Sequence, residues 1–137
     1  NYAAQEGRMD DDAQRKDFQE YLKQVVIDLW HVFVREFEPV WQQADPINMP
    51  QAYRDDYMLR LLQNAAGMGA CKMMRRVIGL AGVEDIRGIE DVEKKSIAAS
   101  MALNMAQKML FQRNSFTTIE QLVEVVTDTT PTYPWQG

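Results

Sequence analysis

The chain has 137 residues, a length that suits one domain and is too short for two. Hydrophobic residues make up 46% of it and charged residues 26%, which excludes a disordered or low-complexity protein. Its 15 basic and 20 acidic residues give a net charge of -5, which argues against a protein that binds nucleic acid or an anionic membrane.

A long first helix is predicted after Asp10, Asp11 and Asp12, whose carboxylates can cap a helix N-terminus and interact well with its dipole. Apolar residues then recur at three- and four-residue steps on two adjacent strips. The first strip holds Phe18, Tyr21, Leu22, Val25, Leu29, Phe33 and Phe37, and the second holds Val26, Trp30, Val34 and Trp41. A helix this apolar needs cover from more than one side, so we expect self-association. Pro39 should end or bend the helix near Glu38.

Further helices are predicted downstream. Residues 44–50 contain two prolines and form a loop. A second helix begins near Tyr53, is interrupted or kinked at Gly67 and Gly69, and resumes as far as Ile78. A third begins at about Val92, and its many alanines allow close helix approach.

The end of the chain carries a capping signal. The segment Thr117-Thr118-Ile119-Glu120 has the spacing of a capping box, in which the Thr117 hydroxyl serves the Glu120 amide and Glu120 reaches back. A short last helix follows, and 127–137, with two prolines, should be an extended tail. No segment alternates well enough for a strand, so we predict a single all-α domain over 1–137, a helical bundle.

Most candidate chemical groups have a structural interpretation. His31 is the one histidine and lacks companions for catalysis or metal binding. Cys71 is expected to be a small buried residue, and a single cysteine fits a cytoplasmic protein. Gly67-x-Gly69-x-x-Lys72 follows a helix rather than a strand, so it is not a phosphate loop. We therefore predict no catalytic, cofactor or metal residues, and no apolar run approaches the length of about 18 residues that spans a membrane.

The pair Arg75 and Arg76 is the strongest candidate site. Adjacent residues on a helix point about 100° apart, so at least one guanidinium should be drawn towards a partner. A guanidinium can bind a carboxylate, a phosphate or sugar hydroxyls in fixed geometry. From spacing alone, we favour an ion pair with Glu84, Asp85 or Asp91.

Residues 67–86, GMGACKMMRRVIGLAGVEDI, strongly resemble one region of the S-methyl-5-thioribose kinase family. The segments 1–7, 28–41 and 94–120 are also similar to parts of that family. The resemblance covers nearly the whole chain, and the Lys-Met-Met-Arg-Arg block is its most distinctive part.

This resemblance implies a helical bundle that corresponds to the C-terminal helical subdomain of a protein-kinase-like, aminoglycoside-phosphotransferase-like C-lobe. The family transfers the γ-phosphate of ATP to methylthioribose in methionine salvage, and its paired arginines recognise methylthioribose. The resemblance therefore shifts the interpretation of Arg75 and Arg76 to substrate contact. ATP and Mg²⁺ are expected for the complete enzyme.

Several parts of the family's machinery have no counterpart in this sequence. They are the glycine-rich loop, the nucleotide-clamping lysine, the His-Gly-Asp catalytic loop and the Asp-x-Glu metal ligands. We expect the chain to be one part of a larger kinase, to need the N-lobe and catalytic segment as partners, and to be catalytically incompetent alone. The alternative is a free-standing helical module that binds another protein.

Overall fold

The computed structural model describes residues 2–45, 47–80 and 82–129. Within these residues the chain forms helices and no strand, which confirms the all-α prediction. The elements are α1 (Gln5–Arg8), α2 (Asp12–Ala44), α3 (Gln51–Ile78), α4 (Glu84–Arg87), α5 (Val92–Phe111), a 3-10 turn (Arg113–Ser115) and α6 (Ile119–Thr127).

The first long helix, α2, begins as the acidic cap predicts. Asp11 is its N-cap and accepts a hydrogen bond from the Gln14 amide at 2.9 Å. Of the end or bend predicted near Glu38, the end does not occur, because α2 continues through Pro39 to Ala44. An aromatic ladder crosses the proline and holds this end of the helix in place. Its members are Phe33 and Phe37 with ring centroids 5.3 Å apart, Phe37 and Trp41 at 5.6 Å, and Trp41 and Tyr57 of α3 at 4.7 Å.

The second long helix, α3, is continuous through Gly67 and Gly69, so of the two predicted alternatives, an interruption or a kink, the interruption does not occur. Both glycines face neighbouring side chains. A Cβ on Gly67 would lie 3.4 Å from Cδ of Arg113, and one on Gly69 would lie 3.5 Å from Cε of Met109. These are ordinary van der Waals distances to flexible side chains, so either position has room for a methyl group.

The core lies mainly between α3 and α5, and small residues dominate it. Its alanines are Ala66 and Ala70 on α3 and Ala98, Ala102 and Ala106 on α5. Short side chains let the two backbones approach, as the alanine content predicts. The residues before α1 and the methionines of α5 extend the core: Ala3 packs with Met101 and Met105.

The last helix, α6, is capped one residue later than predicted. Its N-cap is Thr118, whose hydroxyl accepts from the Gln121 amide at 3.4 Å. The Gln121 side chain, rather than Glu120, reaches back and accepts from the Thr117 amide at 2.8 Å. The Glu120 carboxylate contacts His31 of α2 instead. Helix α6 ends at Thr127, and 130–137 of the predicted tail lie outside the described residues.

The outer face of α2 is apolar and uncovered within the described residues, and most of it belongs to the first predicted strip, whereas Trp30, Val34 and Trp41 of the second strip are half-buried. Among the 33 residues of α2, Gln19 alone is buried. Leu29 is 69% exposed and Tyr21 60% exposed. The inner face contacts the bundle through Ile27 and Trp30, which pack against Leu62 of α3 and its neighbours on α6.

Candidate functional site

Arg75 and Arg76 lie in the last turn of α3, and both are exposed. Positive charge is favourable at this end of a helix because the free carbonyls there carry partial negative charge. The helix ends when the Gly79 amide donates to the Arg75 carbonyl oxygen at 2.9 Å. Within the described part of the chain, neither guanidinium has a hydrogen-bond or ion-pair partner.

The ion pair favoured by spacing alone is therefore not formed. Asp91 caps α5 and accepts from the amides of Glu93 and Lys94 at 2.9 and 3.0 Å. The acidic turn at Glu84 and Asp85 is held through its backbone, as described next. This leaves both guanidinium groups available to an external ligand.

Two arginines that the sequence analysis missed organise the turn beside the pair. Arg8 of α1 donates from Nε to the Asp85 carbonyl and from a terminal nitrogen to the Glu84 carbonyl, both at 2.6 Å. Arg87 donates to the Gly79 carbonyl at 2.8 Å, which ties α4 to the end of α3. Arg8 lies 76 positions before Glu84 and 77 positions before Asp85 in the sequence, so no local pattern could indicate these contacts.

Arg76 borders a groove of about 400 Å³, whereas Arg75 does not. The groove lies between α2, α3, α5 and α6, and most of its lining is apolar. Its apolar residues include Met73, Val77, Ile86, Met105, Met109 and Val126. Its charged residues are Arg76, Lys23 and Asp85.

The polar groups that line the groove differ in whether they already have a hydrogen-bond or ion-pair partner. Lys23 is occupied, because its Nζ lies 2.5 Å from Glu20 and 3.2 Å from the Thr127 hydroxyl. Tyr2 also borders the groove, and burial, followed by the charges of Glu20 and Glu6, raises the pKa of its hydroxyl. This phenol therefore stays protonated at neutral pH and can donate a hydrogen bond.

This arrangement is chemically suited to an amphipathic small molecule. An apolar groove accepts an apolar substituent, and a guanidinium at its edge can bind several oxygen atoms in fixed geometry. The groove combines Arg76 with a neutral phenol at Tyr2. It contains no nucleophile paired with a base among the described residues that line it.

His31 and Cys71 occupy positions outside this groove. His31 Nε2 lies 2.8 Å from Glu120 Oε1, so it joins α2 to α6 at the surface. Cys71 is exposed, so the prediction of a buried cysteine is wrong. It lies on α3 between the buried Ala70 and the exposed Lys72.

Within the described residues there is neither a cluster of metal-ligating side chains nor a membrane-spanning helix. Among residues 2–45, 47–80 and 82–129, no three His, Cys, Asp or Glu side chains group closely enough to hold a metal ion. In the same ranges, none of the helices has both the length and the apolar character needed to cross a membrane.

No family model matches the chain. Individual sequences do match. The chain is 31% identical to methylthioribose kinase 2 and 30% identical to methylthioribose kinase 1 of Oryza sativa subsp. japonica, with 89% of its length covered in each case. It is 29% identical to methylthioribose kinase of Escherichia coli O45:K1 over 90% of its length.

These matches confirm the resemblance to the methylthioribose kinase family over most of the chain. The chain spans about a third of the length of these relatives: 32% of the first rice enzyme, 31% of the second and 32% of the bacterial one. It is therefore related to one part of a methylthioribose kinase. Nothing in the matches favours the alternative of a free-standing interaction module.

Proposed function

We propose that this chain is the C-terminal helical part of an S-methyl-5-thioribose kinase C-lobe and supplies residues that hold methylthioribose. The observation that carries the proposal is that Arg75 and Arg76, at the end of α3, have no hydrogen-bond or ion-pair partner among the described residues, while Arg76 borders an apolar groove. The proposal includes the transfer of phosphate from ATP to methylthioribose by the complete enzyme, in methionine salvage. It also includes a cytoplasmic location and self-association.

The chemistry of the ligand fits the groove. Methylthioribose has an apolar methylthio group and a sugar with several hydroxyls. We assign the methylthio group to the apolar wall near Met73 and Met105, where sulfur and methylene groups give favourable dispersion contacts. The sugar oxygens then lie at the edge, within reach of Arg76, and Arg75 contacts the ligand from outside the groove.

ATP and Mg²⁺ are assigned to other segments of the enzyme. The described residues contain no group of three acidic, histidine or cysteine side chains that would hold the metal. When bound, Mg²⁺ neutralises phosphate charge during transfer. The role we propose for this chain is to position the sugar and to place guanidinium charge near it.

A titration of the chain with methylthioribose, followed by NMR, tests the proposal. We expect shifts of the Arg75 and Arg76 side-chain NH signals and of the Met73 and Met105 methyl signals. Arg76→Ala should weaken binding by about tenfold, since a hydrogen bond to a charged group contributes roughly 1.5 kcal/mol or more. Arg60→Ala is the matched control, because Arg60 lies on the same helix and is paired with Asp56 at 2.6 Å.

Two results would contradict the proposal. One is a titration to millimolar ligand that leaves the groove signals unchanged. The other is equal weakening by Arg76→Ala and Arg60→Ala. A separate assay with ATP, Mg²⁺ and methylthioribose should give no turnover by this chain alone, and ATP-dependent product would refute the assignment of catalysis to other segments.

A further inference from the structure

Asp85 lines the groove beside Arg76 and carries a carboxylate to which the proposed function gives no role. It is half-buried and lies in the first turn of α4. Within the described part of the chain, this carboxylate accepts no hydrogen bond and forms no ion pair. A carboxylate that is partly removed from water is stabilised when a donor reaches it. The groove therefore has a hydrogen-bond acceptor that a ligand can use.

The backbone of Asp85, rather than its side chain, holds this residue in place. Arg8 donates to the carbonyl oxygens of Glu84 and Asp85, both at 2.6 Å. The amide of Gly88 closes the same turn by donating to the Glu84 carbonyl oxygen at 2.8 Å. Because these contacts fix the main chain, the turn does not need the Asp85 carboxylate. An acceptor positioned in this way is preorganised for a ligand.

Arg76 and Asp85 line the same groove, yet they form no ion pair with each other. One ligand can therefore contact the guanidinium and the carboxylate at once. Lys23, the third charged residue of the groove, already pairs with Glu20. The charges of the groove nearly cancel, and this balance suits an uncharged polar ligand better than an anion.

A hydroxyl group matches the combination of Arg76 and Asp85. A hydroxyl both donates and accepts, whereas a guanidinium only donates and an ionised carboxylate only accepts. We infer that Asp85 accepts a hydrogen bond from a sugar hydroxyl of the ligand that Arg76 contacts, and that its charge keeps phosphate and other anions out of the groove. This inference rests on the proposed function and adds a specificity-determining residue to it.

Asp85 supplies a selectivity that Arg76 alone does not have. A guanidinium binds phosphate at least as well as it binds a sugar hydroxyl. A carboxylate in the same groove repels phosphate and accepts from a hydroxyl, so it lowers the affinity for one ligand and raises the affinity for the other. The two residues together select an uncharged sugar over a phosphorylated one.

Titrations with methylthioribose test the hydrogen bond. Asp85→Ala should weaken binding about tenfold, because a hydrogen bond to a charged group is lost. Asp85→Asn should weaken it roughly threefold, since the amide oxygen still accepts but carries no charge. Glu84→Ala is the matched control, because Glu84 has the same backbone contact from Arg8 and its side chain is not part of the groove lining. Circular dichroism checks that each variant folds.

Analogues of methylthioribose that lack one hydroxyl identify the group that Asp85 binds. Removal of that hydroxyl and Asp85→Ala should each weaken binding about tenfold, and the two changes together should weaken it no further. Removal of a hydroxyl that Asp85 does not contact should add to the effect of Asp85→Ala. A purely structural effect of the substitution would lower the affinity for every analogue by the same factor.

Inorganic phosphate is the probe for the exclusion of anions, and the Arg76 side-chain NH signal follows its binding. Asp85→Asn should bind phosphate roughly threefold more tightly than the wild type, because a repelling charge is gone. Glu84→Gln should change this affinity much less. A substitution that only damaged the groove would weaken the binding of both ligands, whereas the inference requires opposite changes for phosphate and methylthioribose.

Each part of the inference has a result that would overturn it. Wild-type affinity for methylthioribose in Asp85→Ala, or an equal loss in Glu84→Ala, would exclude the hydrogen bond. Phosphate affinity that does not rise in Asp85→Asn would exclude the selection against anions. If Arg76→Ala still weakens methylthioribose binding in these cases, the proposed function stands and the role of Asp85 alone is rejected. A wild-type chain that binds no methylthioribose would contradict both.

Discussion

The two long helices α2 and α3 are both amphipathic, yet they differ sharply in how they are covered. Helix α3 buries Leu62, Ala66, Gly67 and Ala70. Helix α2 is longer, with 33 residues against 28, and buries only Gln19. The difference lies in side-chain size at the contact: α3 presents small residues to α5, whereas α2 presents large ones to open space.

This contrast shows what an apolar periodicity can and cannot predict. It indicates which face of a helix avoids water, but the covering element has to be present for burial to stabilise the fold. Burial contributes roughly 25 cal/mol per Å² of apolar surface removed from water. Helix α3 gains this within the chain, whereas the outer face of α2 does not gain it from the residues that the structure describes.

The largest expected effect is the difference in unfolding free energy between a Leu→Ala substitution on α3 and one on α2. Leu62 is 2% exposed and packs against Ile119 and Val123 of α6, so Leu62→Ala should lower the free energy of unfolding by about 2–4 kcal/mol. Leu29→Ala, at a 69% exposed position, should change it by less than about 0.5 kcal/mol. Urea denaturation at a concentration where the chain is monomeric measures both.

Equal effects of these two variants would break the comparison. A large loss from Leu29→Ala in the monomer would show that the outer face of α2 packs within the chain. A small loss from Leu62→Ala would show that the contact of α3 with α6 is loose.

Alanine substitutions at Gly69, within α3, and at Gly79, directly after it, should change stability in opposite directions. A Cβ on Gly79 would lie 2.4 Å from the Arg75 carbonyl oxygen, so Gly79→Ala must disturb the end of α3 and should cost about 1–3 kcal/mol. A Cβ on Gly69 would meet Met109 at an ordinary 3.5 Å, so Gly69→Ala should stabilise the helix by about 0.5–1 kcal/mol. Thermal unfolding of the two variants checks both signs, and stabilisation by Gly79→Ala would contradict the clash.

Sequence patterns predicted helix existence better than helix limits. The Asp11 cap, the loop before α3, the start of α5 near Val92 and the uncovered apolar face of α2 all follow from local patterns. The predicted end at Pro39 and the interruption at Gly67 do not occur. Both failures have one cause: tertiary packing, by the aromatic ladder in one case and by α5 in the other, outweighs a local preference against helix.

The candidate site was accessible to sequence reasoning only in part. Arg75 and Arg76 stand out locally, because two adjacent arginines sit in an apolar stretch. Within the described residues, neither arginine pairs with Glu84 or Asp91. Arg8 binds the backbone of the turn that holds Glu84, Asp91 caps α5, and no spacing rule predicts these two arrangements. The groove beside Arg76 likewise requires four helices to be placed before it can be recognised.

The smallest expected effect concerns the surface contact between His31 of α2 and Glu120 of α6. The pKa of Glu120 is lowered by its own backbone amide and then by the hydrogen bond with His31. A carboxyl whose pKa is depressed on folding contributes stability above its unfolded pKa and loses it as the pH falls through the folded value. Because the pair is exposed, Glu120→Gln should cost at most on the order of 0.5 kcal/mol at neutral pH.

Urea denaturation of wild type and Glu120→Gln at pH 7 and in strong acid measures this difference, which should disappear once Glu120 is protonated in both states. Glu124→Gln on the same helix is the control, since within the described residues the Glu124 side chain makes no hydrogen bond. A difference that persists in acid would mean that Glu120 acts through packing rather than charge. A difference in unfolding free energy that grows in acid would contradict the predicted direction, in which protonation of Glu120 removes its contribution to stability.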